Sequence, residues 1–301
     1  MSAKPDVLRD LLKRDRPLVF AGVYDALSAK IAEKAGFDGL WVSGYGVAAS
    51  MFAKPDIGLI TLSEMTNRLR NICNAVDIPV VCDGEVGYGN AINVMRTVEE
   101  YVAAGAVGMQ MGDAEYENCP YLGLPTRPID EETALQKIRA VKATGERTGF
   151  MLFASQVHAL ERATLYARNG ADGLLYPWEP VVLGDQDKRW KQGLDELIDL
   201  GVAPVAVQTP FLKPVNRDEL ARFGYKIIVL AVENLYAGAK AQVDLWAHYM
   251  QEGSVKGFEH RMFTRQDDFL PYVDDERMRA RIERFITGDY TPNVRARYVE
   301  K

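Results

Sequence analysis

A single (β/α)₈ TIM-type barrel followed by a C-terminal helical extension is the fold class this sequence predicts, on three observations. Eight short apolar runs recur at intervals of about 20–40 residues: Leu18–Gly22, Gly39–Gly44, Pro79–Gly84, Val107–Asp113, Phe150–Ser155, Gly173–Trp178, Pro204–Thr209 and Lys226–Ala231. Helical periodicity fills the intervals, as in Ile92, Met95, Val98 and Val102, or Leu235, Ala239, Val243, Trp246 and Met250. The length, 301 residues, suits one large barrel. An unbroken β-α alternation selects the barrel over an open sheet.

Taken in order, several strands are introduced by helix-ending glycines. Ala35-Gly36-Phe37-Asp38-Gly39, Ala104-Gly105-Ala106 and Asn169-Gly170-Ala171-Asp172-Gly173 each place a Gly where the chain leaves a helix through the left-handed region. The barrel is expected over residues 1–253. From Ser254 the chain turns charged, with helices over Asp274–Ile286 and Val294–Val299, giving an extension over 254–301. That extension is too short to fold alone and is expected to pack on the barrel or on a neighbouring subunit.

Composition narrows the function classes. Hydrophobic residues make up 48% and charged residues 26%, an ordinary globular balance. A net charge of −6 argues against nucleic acid or an anionic membrane as main partner. It leaves room for anionic substrates, because a bound metal reverses the local potential. Cys73, Cys82 and Cys119 have no zinc-type spacing and form no disulfide framework. Met1 leads into Ser-Ala-Lys-Pro-Asp without an apolar segment, so a cytoplasmic enzyme is expected.

In a barrel of this kind the site lies on the loops after the strand C-termini. These carry Tyr24-Asp25, Ser43-Gly44-Tyr45-Gly46, Asp83-Gly84-Glu85, Asp113, Ser155–His158, Trp178-Glu179, Gln208-Thr209 and Glu233-Asn234. Strand alternation is expected to put Asp83 and Glu85 on one side. Two carboxylates so close share a proton or a cation, and hard oxygen ligands suit Mg²⁺ or Mn²⁺; the alternative is a solvated acidic turn. Ser43 to Gly46 reads as a glycine-rich loop able to cradle a carboxylate, or as an ordinary tight turn. Asp56 could reach the metal or stabilise its loop, ahead of a helix N-capped by Ser63. Cys119 lies in a long connection, Asp113 to Arg127, of the kind that forms lids, but it lacks a flanking cation to activate it. His158 is an acid–base candidate or a helix-start histidine. Tyr176-Pro177-Trp178 forms either a pocket wall or a plug.

With these residues assembled, the chain resembles the phosphoenolpyruvate mutase/isocitrate lyase superfamily. Tyr24-Asp25-Ala26-Leu27-Ser28-Ala29-Lys30, Trp41-Val42-Ser43-Gly44 and Asp83-Gly84-Glu85-Val86-Gly87-Tyr88-Gly89-Asn90 are similar to its first three strand ends. The resemblance implies Mg²⁺ and a small carboxylate substrate, a 2-oxo acid or its enolate, at the barrel mouth. It also implies an eighth helix exchanged between subunits and a homotetramer built as a dimer of dimers. Carried over by position, Asp56, Asp83, Glu85 and Asp113 would serve the metal. Tyr24, Ser43, Gly44, Tyr45, Asp83 and Asn234 would hold substrate, and Cys119, His158, Tyr45 or Glu179 would move protons. The activity implied is a metal-dependent C–C lyase of a small 2-hydroxy or 2-oxo acid. Its alternatives are C–P mutase or hydrolase chemistry, and a ligand-binding barrel without turnover.

The chain also departs from the family pattern. Glu85 stands for the second Asp of Asp-x-Asp, and Gly112 for the Glu of Glu-Asp. Tyr116-Glu117-Asn118-Cys119-Pro120-Tyr121 stands for a Lys-Arg-Cys-Gly-His loop. Ser155 or Gln156, and Tyr236, stand where arginines lie. Each charge-assisted hydrogen bond so lost is worth about 1.5–3 kcal/mol, which weakens the hold on di- or tri-anionic substrates.

Overall fold

The computed structural model describes residues 4–116, 126–155, 159–178, 188–210 and 215–286. Its strands are β1 (Leu18–Val23), β2 (Gly39–Val42), β3 (Val80–Asp83), β4 (Gly108–Gly112), β5 (Met151–Ser155), β6 (Gly173–Leu175), β7 (Ala203–Gln208) and β8 (Ile227–Leu230). All neighbours pair in parallel, and β8 closes on β1 in the register Leu18↔Ile227 to Ala21↔Leu230. The eight apolar runs are therefore the eight staves of a closed barrel.

The helices are α1 (Lys4–Leu12), α2 (Ala26–Lys34), α3 (Gly44–Phe52), α4 (Leu62–Ala75), α5 (Ala91–Ala104), α6 (Glu131–Gly145), α7 (Ala159–Arg168), α8 (Lys188–Asp199), α9 (Arg217–Phe223) and α10 (Glu233–Glu252), followed by α11 (Gln266–Phe269) and α12 (Asp275–Phe285). Gly36, Gly105 and Gly170 take the left-handed conformation expected of them, with φ of 87°, 102° and 111°. The cap of α4 differs from expectation. Thr61, not Ser63, is the N-cap, and it forms a reciprocal box with Glu64.

Two apolar layers hold the barrel. Inside it, Phe20, Trp41 and Phe153 stack edge to face at centroid separations of 6.2 and 5.3 Å. Leu18, Val107, Met151 and Ile227, all at or beside strand N-termini, join the same cluster with Leu8 of α1. Helix α1 therefore covers the N-terminal end of the barrel and leaves the C-terminal end for the site. The outer layer packs strands against helices, with Leu40, Val80, Met109, Leu152 and Leu174 fully enclosed.

The chain forms two compact units, residues 1–240 and 241–301. In the second, Phe263, Phe269 and Tyr272 cluster with ring centroids 5.7–6.5 Å apart. It exposes Val243, Trp246, Met250 and Phe285. No helix among the described residues is long and apolar enough to cross a membrane.

Candidate metal centre and active site

The turn after β3 is the centre of the site, and strand alternation is not what assembles it. β3 ends at Asp83, and Glu85 sits in the left-handed region at φ 52°. The Glu85 N–H donates to Asp83 Oδ1 at 3.0 Å, so a local turn swings the two carboxylates together. Asp56 arrives from the connection between α3 and α4. Carboxylate oxygens of Asp56, Asp83 and Glu85 all lie within 4.8 Å of one another.

Asp56 and Glu85 are buried, Asp83 partly so. Burial, then the neighbouring Asp83 charge, pushes the Asp56 carboxyl up to about 7. Burial pushes Asp83 up to about 6 against the pull of the Glu85 and Gly44 N–H groups. Asp56 Oδ1 is enclosed and has no hydrogen-bond partner. A buried carboxylate oxygen left without a donor, beside two further carboxylates, fits a hard divalent cation such as Mg²⁺.

Ser43 to Gly46 is not a loop but the cap and first turn of α3. Ser43 Oγ accepts the Gly46 N–H at 3.1 Å, and the Gly44 N–H donates to Asp83 Oδ2 at 3.3 Å. Glycine at 44 is required by closeness. A Cβ there would lie 2.6 Å from Glu85 Oε1, 3.0 Å from Asp83 Oδ2 and 3.2 Å from Asp56 Oδ2. The helix N-terminus, favourable for negative charge, thus abuts the acidic trio.

Around this turn stand three tyrosines. The Tyr236 hydroxyl donates to the Tyr45 hydroxyl at 2.9 Å, their rings edge to face at 6.2 Å. Tyr24 is half-buried, which raises its phenol pKa. Asn234 Nδ2 donates to the Gly22 carbonyl at 3.3 Å, tying α10 to β1.

Asp113 lies elsewhere. Its Oδ2 accepts from Arg162 Nη1 at 3.0 Å and from the Tyr166 hydroxyl at 2.7 Å, and it is not part of the acidic trio. Arg162 Nη2 also donates to the Ile129 carbonyl at 2.8 Å. With the Ala114↔Pro128 bridge and the Glu115 N–H on the Arg127 carbonyl, this network fastens the base of the long connection. Tyr176 and Trp178 are buried in the outer layer, and their polar atoms donate to the Trp190 and Val207 carbonyls, so they serve packing between β6 and its neighbours. Cys119, His158 and Glu179 lie outside the described residues.

Sequence reasoning missed Lys137 and Tyr101. Lys137 is buried and donates to the Val86 carbonyl at 2.8 Å; the Tyr101 hydroxyl donates to the Asp83 carbonyl at 2.7 Å. A signal existed for Lys137: it occupies the apolar stripe Ala134, Ile138 and Val141 of α6, where a cation is out of place.

The sequence pattern of the phosphoenolpyruvate phosphomutase family matches residues 8–249. The chain belongs to the phosphoenolpyruvate mutase/isocitrate lyase superfamily. Among its relatives, 2,3-dimethylmalate lyase of Eubacterium barkeri is 31% identical over 290 residues, covering 93% of this chain and 98% of that one. A crystal structure of a 2,3-dimethylmalate lyase, a PEP mutase/isocitrate lyase superfamily member, matches with TM-score 0.80 at 26% identity, covering 95% of this chain and 96% of that one. A phosphonopyruvate hydrolase solved in complex with oxalate and Mg²⁺ matches with TM-score 0.80 at 26% identity, covering 95% and 100%. Membership of the superfamily accords with the closed barrel and with the acidic trio at its C-terminal end.

Proposed function

We infer that this superfamily member is a Mg²⁺- or Mn²⁺-dependent lyase that breaks a C–C bond in a small 2-hydroxy or 2-oxo carboxylic acid. The acidic trio at the barrel mouth carries the reading. Similarity to 2,3-dimethylmalate lyase over nearly the whole of both chains supports the C–C assignment. The phosphonopyruvate hydrolase likeness supports a second reading, C–P cleavage, and its complex with oxalate and Mg²⁺ supports magnesium as the metal.

Asp56, Asp83 and Glu85 would hold the cation. When bound, it supplies Lewis acidity to the chelating oxygens of the substrate and offsets negative charge that develops as the bond breaks. Gly44 leaves the space in which the three carboxylates converge, and its N–H fixes the Asp83 carboxylate. The first turn of α3 favours an anionic substrate group at the mouth. Tyr45, oriented by Tyr236, is the described proton carrier, with Cys119, His158 and Glu179 as further candidates. Tyr24, Ser43 and Asn234 would line the substrate. Asp113, held by Arg162 and the Tyr166 hydroxyl, stands outside this set of three carboxylates.

The same reading includes a cytoplasmic homotetramer, a dimer of dimers with the eighth helix exchanged between subunits. Exposed Val243, Trp246 and Met250 on α10 support association, which light scattering of the purified protein would measure.

Calorimetric titration of oxalate, an enolpyruvate mimic, with and without Mg²⁺ tests the function. Binding that requires Mg²⁺ is expected, followed by release of pyruvate or glyoxylate from a 2-hydroxy diacid. Binding without such turnover, but with hydrolysis of phosphonopyruvate, would select the C–P reading. No oxalate binding in either condition would overturn both and leave a barrel without this chemistry.

A further inference from the structure

The turn that presents Asp83 and Glu85 has every carbonyl engaged. The Asp83 carbonyl accepts from the Tyr101 hydroxyl, the Gly84 carbonyl from the Gly87 N–H, the Glu85 carbonyl from the Gly112 N–H, and the Val86 carbonyl from Lys137 Nζ. Two of these donors are backbone groups of the turn and of β4. The other two are side chains sent in from α5 and α6, the helices behind the turn.

Lys137 is the unusual one. It is buried in the apolar stripe of α6, and burial lowers its pKa. An ammonium taken out of water is costly, and a single carbonyl is a modest return for it. Methionine would fill the same volume on the same stripe without that cost. A buried charge in such a place is better explained by what it holds than by what it adds to the core. What it holds is the carbonyl next to Glu85, a residue kept at φ 52°, where a non-glycine residue is disfavoured.

We propose that Lys137 is a positioning residue for the cation centre, fixing the Val86 carbonyl so that the left-handed Glu85 keeps its carboxylate against Asp56 and Asp83. The inference rests on the metal reading of the trio. Partners one shell out from a metal's ligands set affinity through ligand orientation, and their loss typically weakens metal binding by about 10–100-fold. Lys137 acts in this way through the backbone of the turn.

The test is Mg²⁺ binding, measured by calorimetry on purified protein without substrate, beside thermal melts of the metal-free form. K137M removes donor and charge while keeping an apolar chain of similar length. It is expected to melt at or above the wild-type temperature without metal, to bind Mg²⁺ about 10–100-fold more weakly, and to gain less in melting temperature from added Mg²⁺. K137R, which keeps a cationic donor on this stripe, is expected to bind Mg²⁺ more tightly than K137M. Should K137M not fold, K137Q is read by the same titration, and affinity equal to wild type in either variant overturns the proposal. If wild type itself binds no divalent cation, the metal reading fails and takes this inference with it. If wild type binds and K137M binds equally, only the role of Lys137 fails.

Discussion

Replacing Gly44 with alanine inserts one methyl group into the centre of the acidic trio. The new Cβ would stand 2.6 Å from Glu85 Oε1, whereas ordinary contact begins near 3.4 Å, so that oxygen must retreat by about 0.8 Å or the helix must tilt. Gly44 is the first residue of α3 and is not among the glycines with positive φ, so alanine strains no backbone there. The damage is therefore confined to the carboxylates. Misplacement on the order of 1 Å costs about 100-fold in rate, so kcat/KM should fall by roughly that factor while the metal-free melting temperature stays near wild type. Mg²⁺ titration should show weaker binding as well. G46A is the control: its Cβ would press on the Tyr24 Cβ at 3.0 Å, away from the carboxylates, and should leave Mg²⁺ affinity unchanged. The double variant G44A/E85D retracts the carboxylate by a methylene and should recover part of the affinity lost in G44A, a non-additivity expected of residues in contact. G44A protein with wild-type Mg²⁺ affinity and turnover would refute the convergence of these groups on one cation.

Three further outcomes follow from the same geometry. Asp56 and Asp83 ionise at about 7 and 6 in the folded metal-free protein, above the ordinary carboxylate value of 3.8, so the folded state holds more protons than the unfolded one. Metal-free stability should thus fall as pH rises between about 4 and 7 and level off on either side, and Mg²⁺ should raise the melting temperature more at about pH 8 than at about pH 5.5; equal increments would contradict the raised values. D56N removes a buried like charge, so it should melt at or above wild type without metal yet lose Mg²⁺ binding in calorimetry, and retained binding would remove Asp56 from the centre. R162M removes the cation paired with Asp113, whose side chain is 5% exposed, and should lower unfolding free energy in urea by about 3–5 kcal/mol, with a loss below about 1 kcal/mol showing that the pair carries little of the fold.

The strands were legible because parallel strands covered on both faces read as unbroken apolar runs. Their ends were less so, for reasons particular to each. The run Gly39–Gly44 overshoots β2 because Ser43 caps α3 immediately and Gly44 already belongs to it. The run Gly173–Trp178 overshoots β6 because Tyr176 and Trp178 are apolar for packing, their polar tips tied to the Trp190 and Val207 carbonyls. The acidic pair was legible as chemistry but not as geometry. Alternation along a strand brings Asp83 and Glu85 to one side only while the strand continues, and β3 stops at Asp83. The resemblance places Asp113 with the metal, since it directly follows β4 on the same rim. Its partner Arg162 stands 49 residues further along the chain, at a separation where no local pattern links them.

The residues that sequence rules place least well are concentrated where the carboxylates are delivered. Four described non-glycine residues have positive φ, and three of them, Ala53, Glu85 and Tyr88, lie on the two connections that carry Asp56 and the Asp83–Glu85 pair. Each such residue costs on the order of 1–3 kcal/mol, which persists only where the surroundings over-determine the backbone. Here the surroundings do so: Tyr101, Gly112 and Lys137 grip the turn around Glu85, and the Ala53 N–H closes α3 on the Ala49 carbonyl. A cation relieves the repulsion among the carboxylates but does nothing for the dihedral angles, so the two costs are met separately. On the metal reading, charge would be offset by the cation, and backbone strain is met by the helices behind the turn. That division explains why a buried lysine, unfavourable for α6 taken alone, sits where a leucine would pack, and why stability of the metal-free protein and affinity for the metal should respond to different substitutions.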